Sequence, residues 1–230
     1  MTTAIILAGG LDMQFKMNIP KQFVNVDNRP LIVYTLEQFQ NHPDVDNIIV
    51  MCLEGWQEMV RVYGKQFSIT KLTTILTGGK DAQESTYLGL KYLKDSAKVG
   101  DMVIIHDAIR PLVTEEIISK SILKCRKKGM GVAATTIMDT IMHSQNHQEG
   151  DKAIRRDEIM KVQTPQTFNF EYIWQMHKKA IAEDKLGAWD NCSMLTNLGE
   201  KVVFSEGSDL NLRINTTEDV EMFWALYKMQ

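Results

Sequence analysis

The stretch from Ala4 to Phe23, AIILAGGLDMQFKMNIPKQF, begins with an apolar run of strand length, Ala4 to Ala8, that leads directly into Gly9 and Gly10. Paired glycines at the end of a buried strand expose backbone N–H groups without side chains, which suits the close approach of phosphate groups. Lys21, further along the same loop, adds a mobile positive charge. The stretch therefore predicts a buried strand that ends in a phosphate-binding turn, although glycines also occupy such turns for packing reasons alone.

The composition is that of an ordinary globular protein, with 230 residues, 44% hydrophobic residues, 24% charged residues and a net charge of -3. This charge does not favour nucleic acid or an anionic membrane as a partner. No apolar run approaches the roughly 18 residues of a membrane-spanning helix. The start of the chain lacks the basic region and cleavage site of a signal peptide. We therefore expect a cytoplasmic protein with neither a membrane nor a nucleic acid as partner.

The cysteines and histidines do not suggest a structural cross-link or a zinc site. Cys52, Cys125 and Cys192 are odd in number and far apart, and no pair has CxxC spacing. This pattern is typical of reduced thiols in a cytosolic protein. The five histidines form no HExxH-type pair, so a histidine-bound metal is not expected.

Strand-like and helix-like segments alternate along most of the chain, which predicts a three-layer α/β sandwich with a mainly parallel sheet. The predicted strands are 4–8, 47–52, 72–76, 102–105, 131–137, 201–204 and 210–215, and the predicted helices are 30–39, 56–64, 84–94, 114–128, 171–183, 190–198 and one from about 217. The polar segment 143–157 has the composition of a projecting hairpin or loop. No linker divides the chain, so we expect one domain over 1–230.

Three turns directly follow predicted strands, namely Gly9-Gly10, Gly78-Gly79 and His106-Asp107. Ligands of such sheets bind at the carboxyl ends of the strands, so we expect all three turns at one edge. Asp107 has two open interpretations. It is either a turn or cap residue or a carboxylate that holds Mg²⁺ against nucleotide phosphates. The glycine-rich dinucleotide fingerprint and the P-loop are both absent from the sequence.

Other polar residues have simple structural interpretations. Asp190 and Asp209 suit a helix cap and a loop position. Arg110 suits an ion pair with an acid of the fold, and Arg213 lies in the predicted strand 210–215, where polarity alternates. Three tryptophans are interpreted as packing residues: Trp56, Trp174 and Trp189.

Several blocks of sequence occur together in a characteristic order: Leu7–Gly10, Pro20–Gln22, Gly78-Gly79 ahead of Ser85, His106–Pro111, Asp139-Thr140, Gln163–Gln166 and Asn211–Ile214. In this order they resemble the cytidylyltransferases that act on alditol phosphates. That family includes the enzymes for ribitol 5-phosphate and for 2-C-methyl-D-erythritol 4-phosphate. The likeness covers nearly the whole chain, and the HDAIRPLVTEEII and QTPQTFN blocks look closer to the ribitol phosphate branch.

The resemblance implies a Rossmann-like nucleotidyltransferase sandwich of the glycosyltransferase-A-like kind, with a mainly parallel sheet and a projecting β-arm. It implies a homodimer in which an arm at about 140–161 reaches across to the other protomer. The implied reaction takes CTP and an alditol phosphate to a CDP-alditol and pyrophosphate. Reactions of this type depend on positioning and charge neutralisation, and Mg²⁺ is the implied cofactor.

The same resemblance implies roles for individual residues. The implied nucleotide-binding residues are Ala8, Gly9, Gly10 and Lys21 at the triphosphate, Gly78, Gly79 and Ser85 at the cytosine, and Asp107 at the ribose or Mg²⁺. The implied catalytic residues are Lys21, Arg213 and Asp107, with Arg213 in place of a family lysine. The implied acceptor-binding residues are Thr140, Arg156 and Thr164. The implied metal ligands are Asp107 and, as a weaker candidate, Asp209.

Three positions depart from the family pattern on the nucleotide side. Asp12 replaces a glycine, while Gln14 and Ala82 replace arginines, and Lys16 or Lys80 could compensate. The sequence therefore leaves three hypotheses open. The protein is an active cytidylyltransferase for ribitol 5-phosphate or 2-C-methyl-D-erythritol 4-phosphate, a transferase with altered preference, or a weakened member that serves as a nucleotide-binding or interaction protein.

Overall fold

A computed structural model describes residues 1–10 and 19–229 of the chain. The strands are β1 (Thr2–Ala8), β2 (Asn25–Val26), β3 (Arg29–Pro30), β4 (Asn47–Cys52), β5 (Leu72–Thr77), β6 (Met102–Asp107), β7 (Met130–Thr136), β8 (Ile141–His143), β9 (Lys152–Ile154), β10 (Met160–Asn169) and β11 (Phe204–Glu206). The α-helices are α1 (Leu31–Asn41), α2 (Gln57–Gln66), α3 (Ala82–Leu93), α4 (Glu115–Lys128), α5 (Phe170–Ala182), α6 (Asn191–Asn197) and α7 (Thr217–Tyr227).

The central sheet has seven strands in the order β11-β7-β10-β6-β1-β4-β5. Strands β6, β1, β4 and β5 run parallel, β10 is antiparallel to both β6 and β7, and β11 is parallel to β7. The predicted α/β class with a mainly parallel sheet is confirmed. The parallel part brings the carboxyl ends of β1, β5 and β6 to one edge, so the three turns that follow these strands lie at the same edge, as expected.

Helices cover both faces of the sheet, which accounts for the apolar character of its internal strand β1. Ile6 belongs to a core cluster with side chains of α1, α2 and α4, whereas Ile5 belongs to a second cluster with side chains of α3, α5 and α6. Both isoleucines are fully buried. A strand buried on both faces shows a continuous apolar run instead of alternation, and β1 was recognisable in the sequence for that reason.

The polar segment 143–157 is indeed a projecting hairpin, because β8 and β9 form an antiparallel ribbon separate from the main sheet. A 3-10 turn at Arg156–Glu158 leads from this ribbon into β10. Most side chains of the ribbon and its connections are exposed. The ribbon and its connections, residues 140–158, are called the arm below.

The longest strand, β10, was not predicted from the sequence. It contains Pro165, and proline normally argues against a central strand. A register shift between Val162 and Gln166 accommodates this proline in the ladder with β7. Its buried polar side chains, Gln163 and Gln166, also hid the apolar pattern of an internal strand.

Two predictions near the end of the chain were wrong. The strand predicted at 201–204 lies slightly later, as β11. The segment 210–215 is a turn-rich loop without strand pairing. Polar and apolar residues alternate here without forming a strand. Asn211 and Ile214 are buried in different surroundings, while Arg213 faces solvent.

Within residues 1–10 and 19–229, no helix combines the length and apolarity needed to cross a membrane. Cys52, Cys125 and Cys192 are free and buried, as predicted for reduced thiols. Burial raises the pKa of the Cys52 and Cys125 thiols to about 12, so neither is a reactive thiolate near neutral pH.

Candidate active site

Two adjacent cavities open at the carboxyl ends of the parallel strands. The glycine-side cavity, of about 630 Å³, is lined by both glycine turns together with Lys21, Gln22 and Lys80. The tryptophan-side cavity, of about 750 Å³, is lined by residues that include Thr164, Gln166 and Trp189. Four residues line both cavities: Leu7, Ala82, Asp107 and Arg213. A reaction between ligands of the two cavities would take place at these shared residues.

The first glycine turn is held by a glutamine that the sequence motif contained but whose role was not predicted. Gln22 Nε2 donates to the carbonyl oxygen of Ala8 at 2.8 Å and to that of Gly10 at 3.3 Å. Gln22 is buried, so this side chain ties the loop that carries Lys21 to the end of β1. The backbone from Ala8 to Gly10 is thereby held at the cavity wall.

The second glycine turn is packed against the start of α3. The Gly79 N–H donates to Ser85 Oγ at 3.0 Å, and a Cβ on Gly78 would lie only 3.2 Å from the same oxygen. Asp81 caps the helix by accepting from the Glu84 N–H at 2.8 Å. The N-terminal end of α3 therefore borders the cavity, where its dipole favours an anionic ligand.

Lys21 is positioned at the glycine-side cavity by a short turn that packs against a neighbouring aromatic ring. It opens the 3-10 turn Lys21–Phe23, and the Phe23 ring stacks on Trp56 with ring centroids 4.5 Å apart. The lysine is only 5% exposed, and its Nζ donates to Asn215 Oδ1 at 3.0 Å. A buried, oriented ammonium group at this place suits phosphate binding.

Asp107 lies between two guanidinium groups at the junction of the cavities. Its Oδ2 accepts from Arg110 Nε at 3.1 Å and lies 3.7 Å from Arg213 Nε. Burial opposes the charged form, but the neighbouring Arg213 and Arg110 outweigh burial and hold the pKa of Asp107 below its usual value. The side chain is therefore a carboxylate. The predicted ion pair of Arg110 is confirmed.

A neutral histidine and a threonine hold the backbone on either side of the Asp107 side chain. His106 Nε2 lies 3.2 Å from the carbonyl oxygen of Arg110, and His106 Nδ1 lies 3.0 Å from Thr164 Oγ1. Because a carbonyl only accepts, Nε2 carries the proton and Nδ1 accepts from the threonine hydroxyl. Burial lowers the pKa of His106 to about 4, consistent with this neutral form. Thr164 Oγ1 in turn accepts from the Asp107 N–H at 3.1 Å.

Arg213 is carried by a loop whose anchor, Asn211, was not recognised as such in the sequence. Asn211 Nδ2 donates to the carbonyl oxygen of Thr164 at 2.8 Å, and the carbonyl oxygen of Asn211 accepts from Arg110 Nη1 at 2.9 Å. Asn211 is 1% exposed. The loop has no hydrophobic periodicity, and a single buried asparagine does not stand out among its polar neighbours. The sequence therefore did not reveal this anchor.

The predicted acceptor residues are divided between the cavity and the arm. Thr164 lines the tryptophan-side cavity. Thr140 and Arg156 are exposed residues of the arm, and Arg156 Nη1 donates to the carbonyl oxygen of Met138. Neither arm residue is among the described residues that line the two cavities of this protomer.

The predicted second metal ligand also lies outside the cavities. Asp209 Oδ1 contacts Thr135 Oγ1 at 3.2 Å and Lys161 Nζ at 3.8 Å, and Asp209 does not appear among the described residues lining either cavity. No cluster of three or more candidate metal ligands occurs in the described parts of the chain. A single carboxylate at Asp107 still suits Mg²⁺, which is commonly held by one or two carboxylates together with substrate phosphates.

The structure describes only some of the positions at which the sequence departs from the family pattern. Ala82 lines both cavities, and Lys80 lines the glycine-side cavity. Asp12, Gln14 and Lys16 lie outside the described residues. Of the two lysines that could compensate for missing arginines, Lys80 is therefore placed at the site.

The floor of the tryptophan-side cavity contains a polar network that was not predicted. Gln166 Nε2 donates to Asp190 Oδ2 at 2.8 Å, and Asn191 Nδ2 donates to Gln166 Oε1 at 3.1 Å. Asp190 also caps α6 in a capping box with Ser193, which confirms its predicted structural role. Trp189 is 92% exposed, so its interpretation as a packing residue was wrong.

Comparison with known proteins identifies relatives over almost the whole chain. The model of the family described as "IspD: 2-C-methyl-D-erythritol 4-phosphate cytidylyltransferase" matches residues 2–227. A ribitol-5-phosphate cytidylyltransferase of Lacticaseibacillus paracasei is 36% identical over 98% of this chain and 97% of that protein. A 2-C-methyl-D-erythritol 4-phosphate cytidylyltransferase of Clostridium novyi is 34% identical over 95% of this chain and 93% of that protein.

Solved structures give the same fold. The 4-diphosphocytidyl-2C-methyl-D-erythritol synthase of Anaerococcus prevotii has a TM-score of 0.82 at 24% identity, over 100% of this chain and 96% of that one. The 2-C-methyl-D-erythritol 4-phosphate cytidylyltransferase of Thermus thermophilus has a TM-score of 0.78 at 25% identity, over 98% of both chains. The predicted Rossmann-like nucleotidyltransferase fold is confirmed.

Proposed function

This chain belongs to the 2-C-methyl-D-erythritol 4-phosphate cytidylyltransferase family, and from that membership we propose that it transfers CMP from CTP to an alditol phosphate with release of pyrophosphate. One observation carries the proposal. Lys21, Arg213 and Asp107 converge with both glycine turns on the glycine-side cavity. The shared lining of the two cavities would then be the place where nucleotide and acceptor meet.

The transfer requires one bond to form and one to break at the α-phosphorus of CTP. An oxygen of the acceptor phosphate attacks this phosphorus, and the bond to the bridging oxygen of the β-phosphate breaks, so that pyrophosphate leaves. Lys21 and Arg213 supply positive charge where negative charge collects on the phosphate oxygens. Such reactions depend on positioning and electrostatic stabilisation and need little covalent chemistry from the protein.

Asp107 is proposed to bind the nucleotide ribose or to hold Mg²⁺. Its contacts with Arg110 and Arg213 both involve Oδ2, and it stays ionised because its pKa is lowered. When bound there, Mg²⁺ would supply charge neutralisation on the phosphate oxygens. Asp209 is the weaker candidate for a second metal ligand, since it is not among the described residues that line either cavity.

The favoured acceptor is ribitol 5-phosphate. The relative that supports it is the ribitol-5-phosphate cytidylyltransferase of Lacticaseibacillus paracasei, at 36% identity. The alternative acceptor is 2-C-methyl-D-erythritol 4-phosphate, which is supported by the family description and by the Clostridium novyi relative at 34% identity.

The working unit is proposed to be a homodimer. Thr140 and Arg156 lie on the exposed arm and outside the cavities of their own protomer. An arm that reaches across to a second copy would bring them to the acceptor phosphate there. Thr164 of that second copy, which lines the same cavity from within, would complete the phosphate site.

A weakened family member that binds a nucleotide or a partner is the second candidate. The observation in its favour is Ala82, which lines both cavities without supplying a charge. Losing one charge-assisted contact to a transferring phosphate costs about 10²–10³-fold in rate. Lys80 is the proposed compensation on the enzyme hypothesis.

Pyrophosphate release with Mg²⁺, each of the four nucleoside triphosphates and a panel of alditol and sugar phosphates tests these alternatives. The proposal predicts turnover with CTP and ribitol 5-phosphate. Turnover with 2-C-methyl-D-erythritol 4-phosphate alone would select the alternative acceptor. Nucleotide binding without turnover for any pair would establish the weakened member instead.

A further inference from the structure

Trp189 is the largest exposed aromatic surface at the candidate site, and its main chain is firmly held. The side chain is 92% exposed and lines the tryptophan-side cavity. An indole group exposed to water does not contribute the favourable free energy that its burial would give to folding. A tryptophan kept in that position on a fixed backbone therefore suggests a ligand.

The segment before Trp189 is clamped by Gln83 of α3. Gln83 Nε2 donates to the carbonyl oxygen of Lys185 at 3.0 Å, and Gln83 Oε1 accepts from the Ala188 N–H at 2.8 Å. Gln83 is 5% exposed, so both contacts are shielded. Gly187 adopts a φ of +75° between these two anchors, which lets the chain turn tightly under the clamp.

The segment after Trp189 is anchored independently. Asp190 accepts from the Ser193 N–H at 2.8 Å, and its N–H donates to Ser193 Oγ at 3.0 Å. Its second carboxylate oxygen accepts from the buried Gln166. Trp189 thus sits between two sets of polar contacts, each of which includes a buried glutamine, and its backbone is positioned before any ligand arrives.

The cavity beside the indole suits a molecule with a charged end and a carbon chain. Arg213 and Thr164 border the junction with the glycine-side cavity, whereas apolar groups such as Val162 and Val202 line the wall. Gln166 and Asn191 offer polar groups on the floor. Ligand sites typically combine an apolar and aromatic wall with a few convergent polar groups.

We propose that Trp189 contacts the carbon chain of the acceptor and is a specificity-determining residue for it. The inference rests on the proposed function, since it assumes that the acceptor phosphate lies at the Arg213 junction. The chain of the alditol would then extend into the tryptophan-side cavity, with its C–H face against the indole and its hydroxyl groups toward Gln166 and Asn191.

Steady-state kinetics of Trp189→Ala and Trp189→Phe test this contact. Trp189→Ala raises the KM for the alditol phosphate about three- to tenfold, the range expected for one lost aromatic contact. The KM for CTP and kcat stay within about twofold, because the lost contact acts on acceptor binding. Trp189→Phe restores most of the acceptor affinity.

A matched control is Trp174→Phe. The ring of Trp174 stacks on that of Tyr87 with centroids 5.5 Å apart, and Trp174 is not among the described residues that line the two cavities. This variant keeps the KM for acceptor and for CTP at wild-type values. An unchanged acceptor KM in Trp189→Ala, with active wild-type enzyme, would overturn the inference and leave the proposed function intact. A changed dimer dissociation constant with an unchanged acceptor KM would overturn it too, and would make Trp189 a contact of the arm.

Tryptophan fluorescence provides a test that does not need turnover. Ribitol 5-phosphate changes the emission of the wild-type protein and of Trp174→Phe, and does not change that of Trp189→Phe. Inorganic phosphate has little effect on any of them, since the contact is with carbon. If the wild type responds in this way without turnover, the proposed function fails and the Trp189 contact stands. If the emission response to ribitol 5-phosphate is the same in Trp189→Phe as in the wild type, or is absent from both, the inference falls.

Discussion

Asp107 serves both the fold and the proposed reaction. Its carboxylate partners the buried Arg110 guanidinium at 3.1 Å, and it also lines both cavities. An exposed ion pair contributes little to stability, but removal of one member of a buried pair leaves an unpaired charge. The effects of Asp107 on folding and on turnover must therefore be separated by a second substitution.

Asp107→Asn abolishes turnover and lowers the free energy of unfolding by about 3–5 kcal/mol, because Arg110 loses its charged partner. Adding Arg110→Met to this variant restores most of the stability but none of the activity. Urea denaturation and pyrophosphate release measure the two effects. Turnover that returns together with stability in the double variant would refute the role of Asp107 at the site.

His177 makes the stability depend on pH. Its ring is fully buried, its Nε2 lies 3.1 Å from Asn191 Oδ1, and burial lowers its pKa to about 4. The unfolded chain binds a proton at this residue below about pH 6.5, whereas the native state does not until about pH 4. The contribution is fully present above the unfolded pKa, and stability falls as the pH decreases through this window, by up to about 1.4 kcal/mol per pH unit.

His177→Gln, whose amide can still donate to Asn191, reduces this dependence. Urea denaturation at about pH 5 and pH 7 shows a smaller loss of stability in the variant than in the wild type. The exposed His147 provides the matched control, since His147→Gln keeps the wild-type dependence. Equal pH dependence in His177→Gln and wild type would show that His177 is not the buried neutral group described.

Individual residues of the candidate site were predictable where a motif marks them. The glycine pairs and Asp107 come at the ends of recognisable strands, Lys21 belongs to the PKQ motif further along the first loop, and the structure brings all of them to one cavity. The roles of Gln22 and Asn211 could not be predicted in this way. Each acts through long-range contacts with backbone carbonyl groups, and such contacts leave no trace in local composition.

At the scale of elements, β10 and the loop 208–215 form one unit. Gln163 of β10 donates to the carbonyl oxygen of Ser208 at 2.8 Å, and Asn211 donates to the carbonyl oxygen of Thr164. The register shift of β10 lies at this same stretch. Arg213 therefore depends on an irregular strand and its partner loop, neither of which has the periodicity from which elements are predicted.

Asn211→Ala tests that dependence. The variant loses the hydrogen bond to Thr164 and about 1–3 kcal/mol of stability. It also loses about tenfold in kcat/KM, because Arg213 is no longer fixed beside Asp107. Asn197→Ala, at an exposed position at the end of α6, retains both properties. An Asn211→Ala protein with full activity would show that the loop positions Arg213 without this anchor.

At the scale of the whole molecule, the alternation of strands and helices predicted the sheet and the edge that carries the candidate site. The handedness and order of parallel connections are strongly restricted, so the three strand ends could be assigned to one edge from the sequence. The arm was predictable only as a polar hairpin. Contacts with a second copy would involve surfaces that carry no periodic pattern, so the dimer remains a prediction.

Mixing two inactive variants tests whether the arm acts across the dimer. Lys21→Ala and Arg156→Ala are each expected to have little activity alone. In a mixed dimer, one site combines an intact Lys21 with an intact arm, so a random mixture regains about a quarter of wild-type activity. Light scattering checks that the mixture is dimeric. No gain on mixing after subunit exchange would place the arm on its own protomer or outside the reaction.

The most direct test of the transferase account is phosphorus NMR of the purified protein with Mg²⁺, CTP and ribitol 5-phosphate. The account predicts that the signals of CTP and of the acceptor phosphate decline together. A CDP-alditol diphosphate and pyrophosphate should appear in equal amounts. Folded protein that leaves CTP and the acceptor phosphates unchanged, with ribitol 5-phosphate and with 2-C-methyl-D-erythritol 4-phosphate alike, would contradict it.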